Sequence, residues 1–267
     1  MSIRSVKVGH LEYLTAEGIS APHCFTTRLG GVSRGCLASM NIGTHRGDDP
    51  ENVRENFRIL ADALGFDVRK LVLTHQTHTD TVFQVGPEAY GAGLTGPELP
   101  ECDGLITNVP GTALVVFTAD CTPVLLHDPV TGAVGAAHAG WRGTASGIAA
   151  KTVQAMCRAY GCRPENIRAA IGPNIAQCCF QTDADVPQAM LTALGIAAQA
   201  HIRQNGQKYY VNLKELNALW LRRAGIQQTE ISDACTACQP DRFWSHRVTG
   251  GNRGSQGAII VCKERET

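Results

Sequence analysis

One stretch constrains the fold more than any other, Ala119 to Gly143, which reads ADCTPVLLHDPVTGAVGAAHAGWRG. It is two apolar runs joined by a turn. Thr122 to His127 carries Val124, Leu125 and Leu126, and Ala133 to Ala137 is small and apolar. Asp128-Pro129-Val130-Thr131-Gly132 between them supplies the residue types that turns select. The pattern predicts an antiparallel hairpin centred near Val130. That register sets Cys121 opposite His138 at the open end of the hairpin. Directly opposed Cβ atoms lie roughly 4.5–5.5 Å apart. A sulfur and an imidazole nitrogen so placed reach one shared metal, at about 2.3 and 2.0 Å for zinc. The plainer alternative is a buried thiol and a core histidine beside a tight turn.

Beyond His138 the chain runs through Ala139-Gly140-Trp141-Arg142-Gly143 into a helical pattern. A strand passing through glycines into a helix start presents free amides and a positive dipole end. Arg142 adds a cation suited to bidentate oxyanion binding. The stretch therefore offers a candidate metal site beside a candidate anion site.

The 267 residues suffice for one large domain or two small ones. Lys plus Arg and Asp plus Glu both number 24, so no whole-chain basic field draws nucleic acid or an anionic membrane. The N-terminal sequence MSIRSVKVGHLEYLTAEG lacks the apolar centre of a secretory signal. No apolar run approaches the ~20 residues of a membrane span. A cytoplasmic protein with reduced thiols is the expectation. Cys235-Thr-Ala-Cys238 is the only CxxC among eleven cysteines, and adjacent Cys178-Cys179 is not a second such pair. Ordinary thiols are expected there.

Ser5 to Tyr13 and His23 to Thr27 read as strands, followed by a glycine loop running to Gly47. Asp49 reads as an N-cap with Pro50 at the first helical position. Val53, Phe57, Leu60, Ala61 and Leu64 repeat at helical spacing up to Gly65. Leu71–Thr74 and Thr81–Val85 are β-like and flank His75-Gln76-Thr77-His78, where β-branched threonine argues against a helix. Residues 86–102 form a loop. Asp103–Thr107 and Ala113–Thr118 are strand-like. Gly143–Tyr160 reads as a helix ended by Gly161, Ile167–Ile171 as a strand, and Asp183–Leu194 as a helix. Asn205-Gly206 marks a hairpin between Ala200–Arg203 and Tyr209–Val211. Asn212 caps a helix through Arg223, and Ala258–Cys262 is a final strand. Strands and helices interleave, and the hairpins imply mixed sheets in one α/β domain over residues 1–267.

Several phrases together resemble the YfiH-type family, also called the laccase-domain or multicopper polyphenol oxidase family and associated with purine nucleoside phosphorylase activity. They are Gln76-Thr77-His78, Ala119-Asp120-Cys121-Thr122-Pro123-Val124-Leu125-Leu126 and His138-Ala139-Gly140-Trp141-Arg142-Gly143. Asn41-Ile42-Gly43 with Asp48-Asp49-Pro50 resembles its N-terminal signature. Ile171-Gly172-Pro173-Asn174-Ile175, Cys235-Thr236 and Ser245-His246-Arg247 resemble its C-terminal ones. Gly250-Gly251-Asn252-Arg253-Gly254 looks expanded beside the family's shorter glycine-arginine turn.

The resemblance implies a four-layer α/β/β/α sandwich and a zinc site of His78, Cys121 and His138, choosing His78 over His75. It implies phosphorolysis of adenosine, inosine and methylthioadenosine to free base and ribose 1-phosphate, and deamination of adenosine to inosine. Three protein ligands leave the fourth tetrahedral position open, as in a catalytic zinc. In the mechanism expected from this site, Cys121 holds the metal while Arg142 and the 140–144 amides orient phosphate or water. Asp120 orients a ligand or moves a proton, although a strand neighbour of Cys121 points to the opposite face. Asn41 hydrogen-bonds base or ribose. Copper is the alternative metal, since binding order favours Cu over Zn. A multicopper oxidase needs roughly ten histidines, typically in HxH pairs; this chain has nine and no HxH. Two further alternatives are a cysteine hydrolase of peptidoglycan-precursor editing, with Cys121 as nucleophile and His138 as base, and a non-catalytic zinc-stabilised module.

Overall fold

The computed structural model describes residues 3–263; residues 1–2 and 264–267 of the expected domain lie outside the described residues. The first strands are β1 (Ile3–Val8), β2 (Leu11–Ala16) and β3 (His23–Thr26). After a loop come α1 (Pro50–Leu64), β4 (Leu71–Leu73), β5 (Val82–Gln84), β6 (Gly104–Thr107) and β7 (Ala113–Thr118). The hairpin strands β8 (Thr122–His127) and β9 (Val134–Ala139) lead into α2 (Trp141–Ala145) and α3 (Ile148–Tyr160). Then follow β10 (Arg168–Ile171), β11 (Gln181–Thr182), α4 (Asp185–Leu194), β12 (Ile202–Asn205) and β13 (Lys208–Val211). The chain continues through α5 (Leu213–Arg223), β14 (Gln228–Ile231), α6 (His246–Thr249) and β15 (Gln256–Val261).

Two six-stranded sheets carry the fold, ordered β1-β2-β3-β15-β7-β4 and β14-β10-β8-β9-β6-β5. Both mix parallel with antiparallel pairs: β4–β7 and β10–β14 are parallel, β7–β15 and β8–β9 antiparallel. Their inner faces pack together through Leu114, Val116 and Ile260 from one and Leu105, Leu125 and Ala136 from the other. The outer face of the first sheet is covered by α1, whose Val53, Phe57 and Leu60 meet Leu71, Val115 and Ile259. The outer face of the second is covered by α3 and α5, where Ile148, Met156 and Leu221 meet Val124, Leu126 and Ala137. This is the α/β/β/α sandwich the resemblance implied. Strands buried on both faces explain why β8 and β9 read as continuous apolar runs rather than alternating ones. A third, three-stranded sheet (β11-β13-β12) packs with α4 as a lobe on the side.

Local chemistry sets the element ends. The Asp49 carboxylate accepts from the Glu51 amide, Pro50 opens α1, and Gly65 closes it at φ 72°. Asn212 caps α5 through the Glu215 amide. Two expectations are corrected. Ser5–Tyr13 is not one strand: Gly9, at φ 59°, turns it, and Val8 pairs with Leu11 across a two-residue loop. The expected 143–160 helix is two helices. The Trp220 indole takes the Thr144 carbonyl at 2.7 Å, and Gly147 breaks the helix at φ 75° with that ring beside it. Among the described residues no helix is long and apolar enough to cross a membrane.

The hairpin register differs from expectation by two residues. Pro123 faces His138 and Thr122 faces Ala139, because the Asp128 carboxylate accepts from the Val130 and Thr131 amides and places six residues in the turn. Cys121 therefore lies just beyond the strand end and diagonal to His138.

At the other end of β8, His127 is 5% exposed and its Nδ1 has no partner. Burial pulls its pKa down to about 4, only partly offset by Asp128. An unfolded histidine titrates near 6.5. The native state therefore binds fewer protons here, and this stability is complete above about pH 6.5 and lost as pH falls toward 4, by roughly 3 kcal/mol. In His127→Gln the drop in unfolding free energy between pH 7 and pH 4.5, measured by urea titration, should shrink by about 2 kcal/mol. An unchanged drop would show that His127 titrates normally in the fold.

Candidate metal centre

The chain crosses from the first sheet to the second between β7 and β8, and the centre lies at that corner. Asp120 turns the crossing with φ 86°, a conformation uncommon outside glycine. Its carboxylate accepts from Thr236 Oγ1 at 2.6 Å, the Arg247 amide at 2.6 Å and Ser245 Oγ at 3.1 Å. The next residue, Cys121, is thereby aimed at His138.

His78 arrives from the loop between β4 and β5, also with positive φ, at 62°. One ligand atom each from His78, Cys121 and His138 lies within 4.8 Å of the others. The two imidazole rings meet edge to face at 5.0 Å between centroids. Gly140 is required here: a Cβ at that position would stand 2.5 Å from His78 Nδ1 and 3.3 Å from Cys121 Sγ. Two imidazoles and one thiolate fit zinc or copper, so the residues present suit the metal the resemblance implied.

Asp103, at the threshold of β6, was given no role from sequence. It is fully buried and accepts from His138 Nδ1 at 2.6 Å and from the Thr77 and Thr79 amides at 3.1 and 2.8 Å. This one carboxylate orients two of the three ligands, His138 directly and His78 through the amides on either side of it. It leaves Nε2 of His138 facing the sulfur, as metal-binding histidines commonly require. Burial raises the Asp103 pKa, but these hydrogen bonds win and hold it below the ordinary carboxylate range. Burial disfavours a charged His138; the Cys121 sulfur and Asp103 outweigh it and push the pKa up to about 9. His78 is lowered, by burial first and then by the charge of His138.

A cavity of about 210 Å³ opens over the three ligands. Its walls hold two guanidiniums that sequence reasoning missed, Arg46 and Arg253. Arg253 is 8% exposed and its buried Nε has no partner. Burial, then the neighbouring Arg46, lowers its pKa to about 10, so it remains a cation at neutral pH. The mouth carries His45, whose Nε2 meets Glu98 Oε1 at 2.6 Å, and His75, 3.6 Å from the same carboxylate. The clue to Arg253 was its position in the glycine-rich tail. Nothing local marked Arg46 or Asp103.

Three expected site residues lie elsewhere. Arg142 is exposed, stacked over Trp141 at 4.2 Å, and does not border the cavity, although its charge reaches His78. The α2 segment behind it has only five residues, too short for an N-terminal anion site. Asn41 is fully buried; its side chain donates to Asp48 and accepts from the Gly43 and Ser255 amides. It shapes the cavity wall through Gly43 and Ser255 and does not reach into it. Asp120 likewise spends both oxygens on the protein, facing away from the ligands.

A family model described as multi-copper polyphenol oxidoreductase laccase matches residues 22–263. The chain belongs to this laccase-domain, or YfiH, family. One laccase-domain relative is the purine nucleoside phosphorylase YlmD of Geobacillus stearothermophilus, 37% identical over 247 residues, with 91% of this chain and 90% of that protein covered. A purine nucleoside phosphorylase of Mus musculus is 35% identical over 255 residues; the chain spans 56% of its length. The crystal structure of YlmD from Geobacillus stearothermophilus superposes with a TM-score of 0.92 at 35% identity, covering 97% of this chain and 99% of that one.

Removing the support without touching a ligand should loosen the centre. Asp103→Asn and Gly140→Ala are each expected to weaken zinc binding about 10–100-fold while the chain stays folded. Competition against a chromophoric chelator, with circular dichroism as the folding control, measures it. Parent-like affinity in both would remove Asp103 and Gly140 from the account of the centre.

Proposed function

We propose that this chain is a zinc-dependent purine nucleoside phosphorylase of the cytoplasm. It splits adenosine, inosine and methylthioadenosine with phosphate into free base and ribose 1-phosphate, and also deaminates adenosine. The observation that carries this reading is a three-ligand His–Cys–His cluster opening into a cavity that also holds the buried, partly unpartnered cation Arg253. The relatives' names, purine nucleoside phosphorylase, support the phosphorylase part of this reading.

A phosphate oxygen forms the bond to ribose C1′ as the C1′–N9 bond breaks, and the electron pair leaves with the purine, which takes a proton. Arg253 and Arg46 hold the phosphate and offset its charge. Phe117, which borders the cavity, offers an apolar face to the base. Glu98, shared between His45 and His75, stands at the mouth of the cavity. His78, Cys121 and His138 would hold the zinc, which would supply a Lewis acid for an oxygen of phosphate or water. Asp103 keeps the His138 ring oriented, and Asp120 fixes the approach of Cys121. Arg142, outside the cavity, acts only through its charge on His78. In deamination a water oxygen bonds to C6 of the purine as the C6–N6 bond breaks, and the proton the water gives up leaves with the amine as ammonia.

Copper at the same three ligands is the second reading, favoured by the oxidase description of the family model. Cys121 as a hydrolase nucleophile competes with its use as a metal ligand. Chromatography of adenosine with zinc-loaded protein, with and without phosphate, separates these. Phosphate-dependent adenine is expected, lost in Cys121→Ala and His78→Ala. Arg253→Gln should raise the KM for phosphate and lower kcat/KM by about 100-fold. Phosphate-independent inosine alone would leave only the deaminase, and no product from metal-loaded protein would refute the nucleoside reading.

A further inference from the structure

The cysteines that sequence spacing left unpaired come together in the fold. A single bridge sets Asn174 beside Cys235, and the Thr236 amide donates to the Asn174 carbonyl at 3.0 Å. This brings the turn after β10 against the turn after β14. Cys178, Cys179, Cys235 and Cys238 then place four sulfurs within 4.8 Å of one another. Cys178 and Cys238 stand 3.6 Å apart, Cys179 and Cys238 3.3 Å, and Cys178 and Cys179 3.7 Å. Four thiolates around zinc at about 2.3 Å form a tetrahedron with edges of about 3.8 Å. Adjacent Cys178-Cys179 does what a second CxxC would otherwise do.

Two further observations mark the cluster as built for thiolates. Cys235 Sγ accepts from the Ala176 amide at 3.3 Å, and the backbone of Ala237 and Cys238, the second and third residues after it, acts on the same sulfur. Amides turned onto a sulfur stabilise its anion and fix its direction. Behind the cluster, buried Lys214 donates Nζ to the Ser232 and Ala234 carbonyls, both at 2.7 Å, and its charge acts on Cys235 and Cys178. Zinc with four thiolates carries a net charge of about −2, which this ammonium partly offsets.

We propose that Cys178, Cys179, Cys235 and Cys238 bind a second zinc ion, closed on all four sides by protein and structural rather than catalytic. The cluster ties together the two turns that hold Asp120. The Ile175 amide donates to the Asp120 carbonyl at 2.9 Å, and Thr236 Oγ1 donates to its carboxylate. Arg247, whose amide also reaches Asp120, anchors its guanidinium on the Cys179 and Gln181 carbonyls. The second zinc thus stiffens the corner that positions Cys121.

The test is metal stoichiometry of the reduced full chain, with cobalt as the optical probe. The parent should bind two equivalents of zinc. Cys121→Ser should keep one, and its cobalt form should show the intense tetrahedral bands of a four-thiolate site. Cys238→Ser should lose those bands and keep the His–Cys–His equivalent. Cadmium NMR of the unmodified chain serves if a variant does not fold, and should give one resonance in the four-thiolate range beside a second with mixed ligands. A single equivalent in the parent that Cys121→Ser abolishes, or no four-thiolate resonance, would overturn the proposal. So would a Cys179–Cys238 disulfide that persists when the chain is purified without reductant in the presence of zinc.

Discussion

The left-handed corner at Asp120 is the constraint on which the site depends. A chain leaving the middle of one sheet must enter the other within three residues, and only a sharp reversal does this. At a residue with a Cβ the reversal costs of order 1–3 kcal/mol. Three hydrogen bonds to the carboxylate and one to the carbonyl offset that cost. All four come from residues 55 or more positions away in sequence. The corner is therefore stable only inside the finished fold, and Cys121 has its direction only then.

A second buried carboxylate does the matching work on the other side. Asp103 sits at the start of β6, beside β9, so the pairing that builds the second sheet also delivers an anion to the His138 ring. Its other oxygen gathers the Thr77 and Thr79 amides around His78, a residue that is itself exposed and left-handed. The buried negative charge at the centre is that of Asp103, held against the His138 ring. The positive charge of Arg46 and Arg253 faces it across the cavity. That polarity suits a ligand with an anionic group at one end and a neutral ring at the other.

Much of this was legible in the sequence. The β8–β9 hairpin followed from two apolar runs and a turn, and α1 from Asp49, Pro50 and Gly65, because those signals are local. The choice of His78 over His75 came from resemblance, since spacing alone gave both equal standing. What stayed hidden was set by contacts between distant segments. The break at Gly147 needs Trp220; the role of Asp103 needs β9 beside β6; Arg142 stands off the cavity, stacked on Trp141, while Arg253 is buried into its wall from the far end of the chain. The pairing of Cys178-Cys179 with Cys235 and Cys238 needs two turns that only the parallel β10–β14 pair brings together.

The position of β15 has a consequence for synthesis. This strand lies between β3 and β7, in the interior of the first sheet, and its approach carries Arg253 and Ser255 to the cavity. During translation β3 and β7 emerge more than a hundred residues before the strand that joins them. Until then each exposes an unpaired apolar edge, the kind that recruits other nascent chains. The second sheet can assemble earlier, because its last strand is β14. The strands of the second sheet are thus synthesised first, and only later come Ser245 and Arg247, which lock the Asp120 corner, and the segment that walls in the cavity.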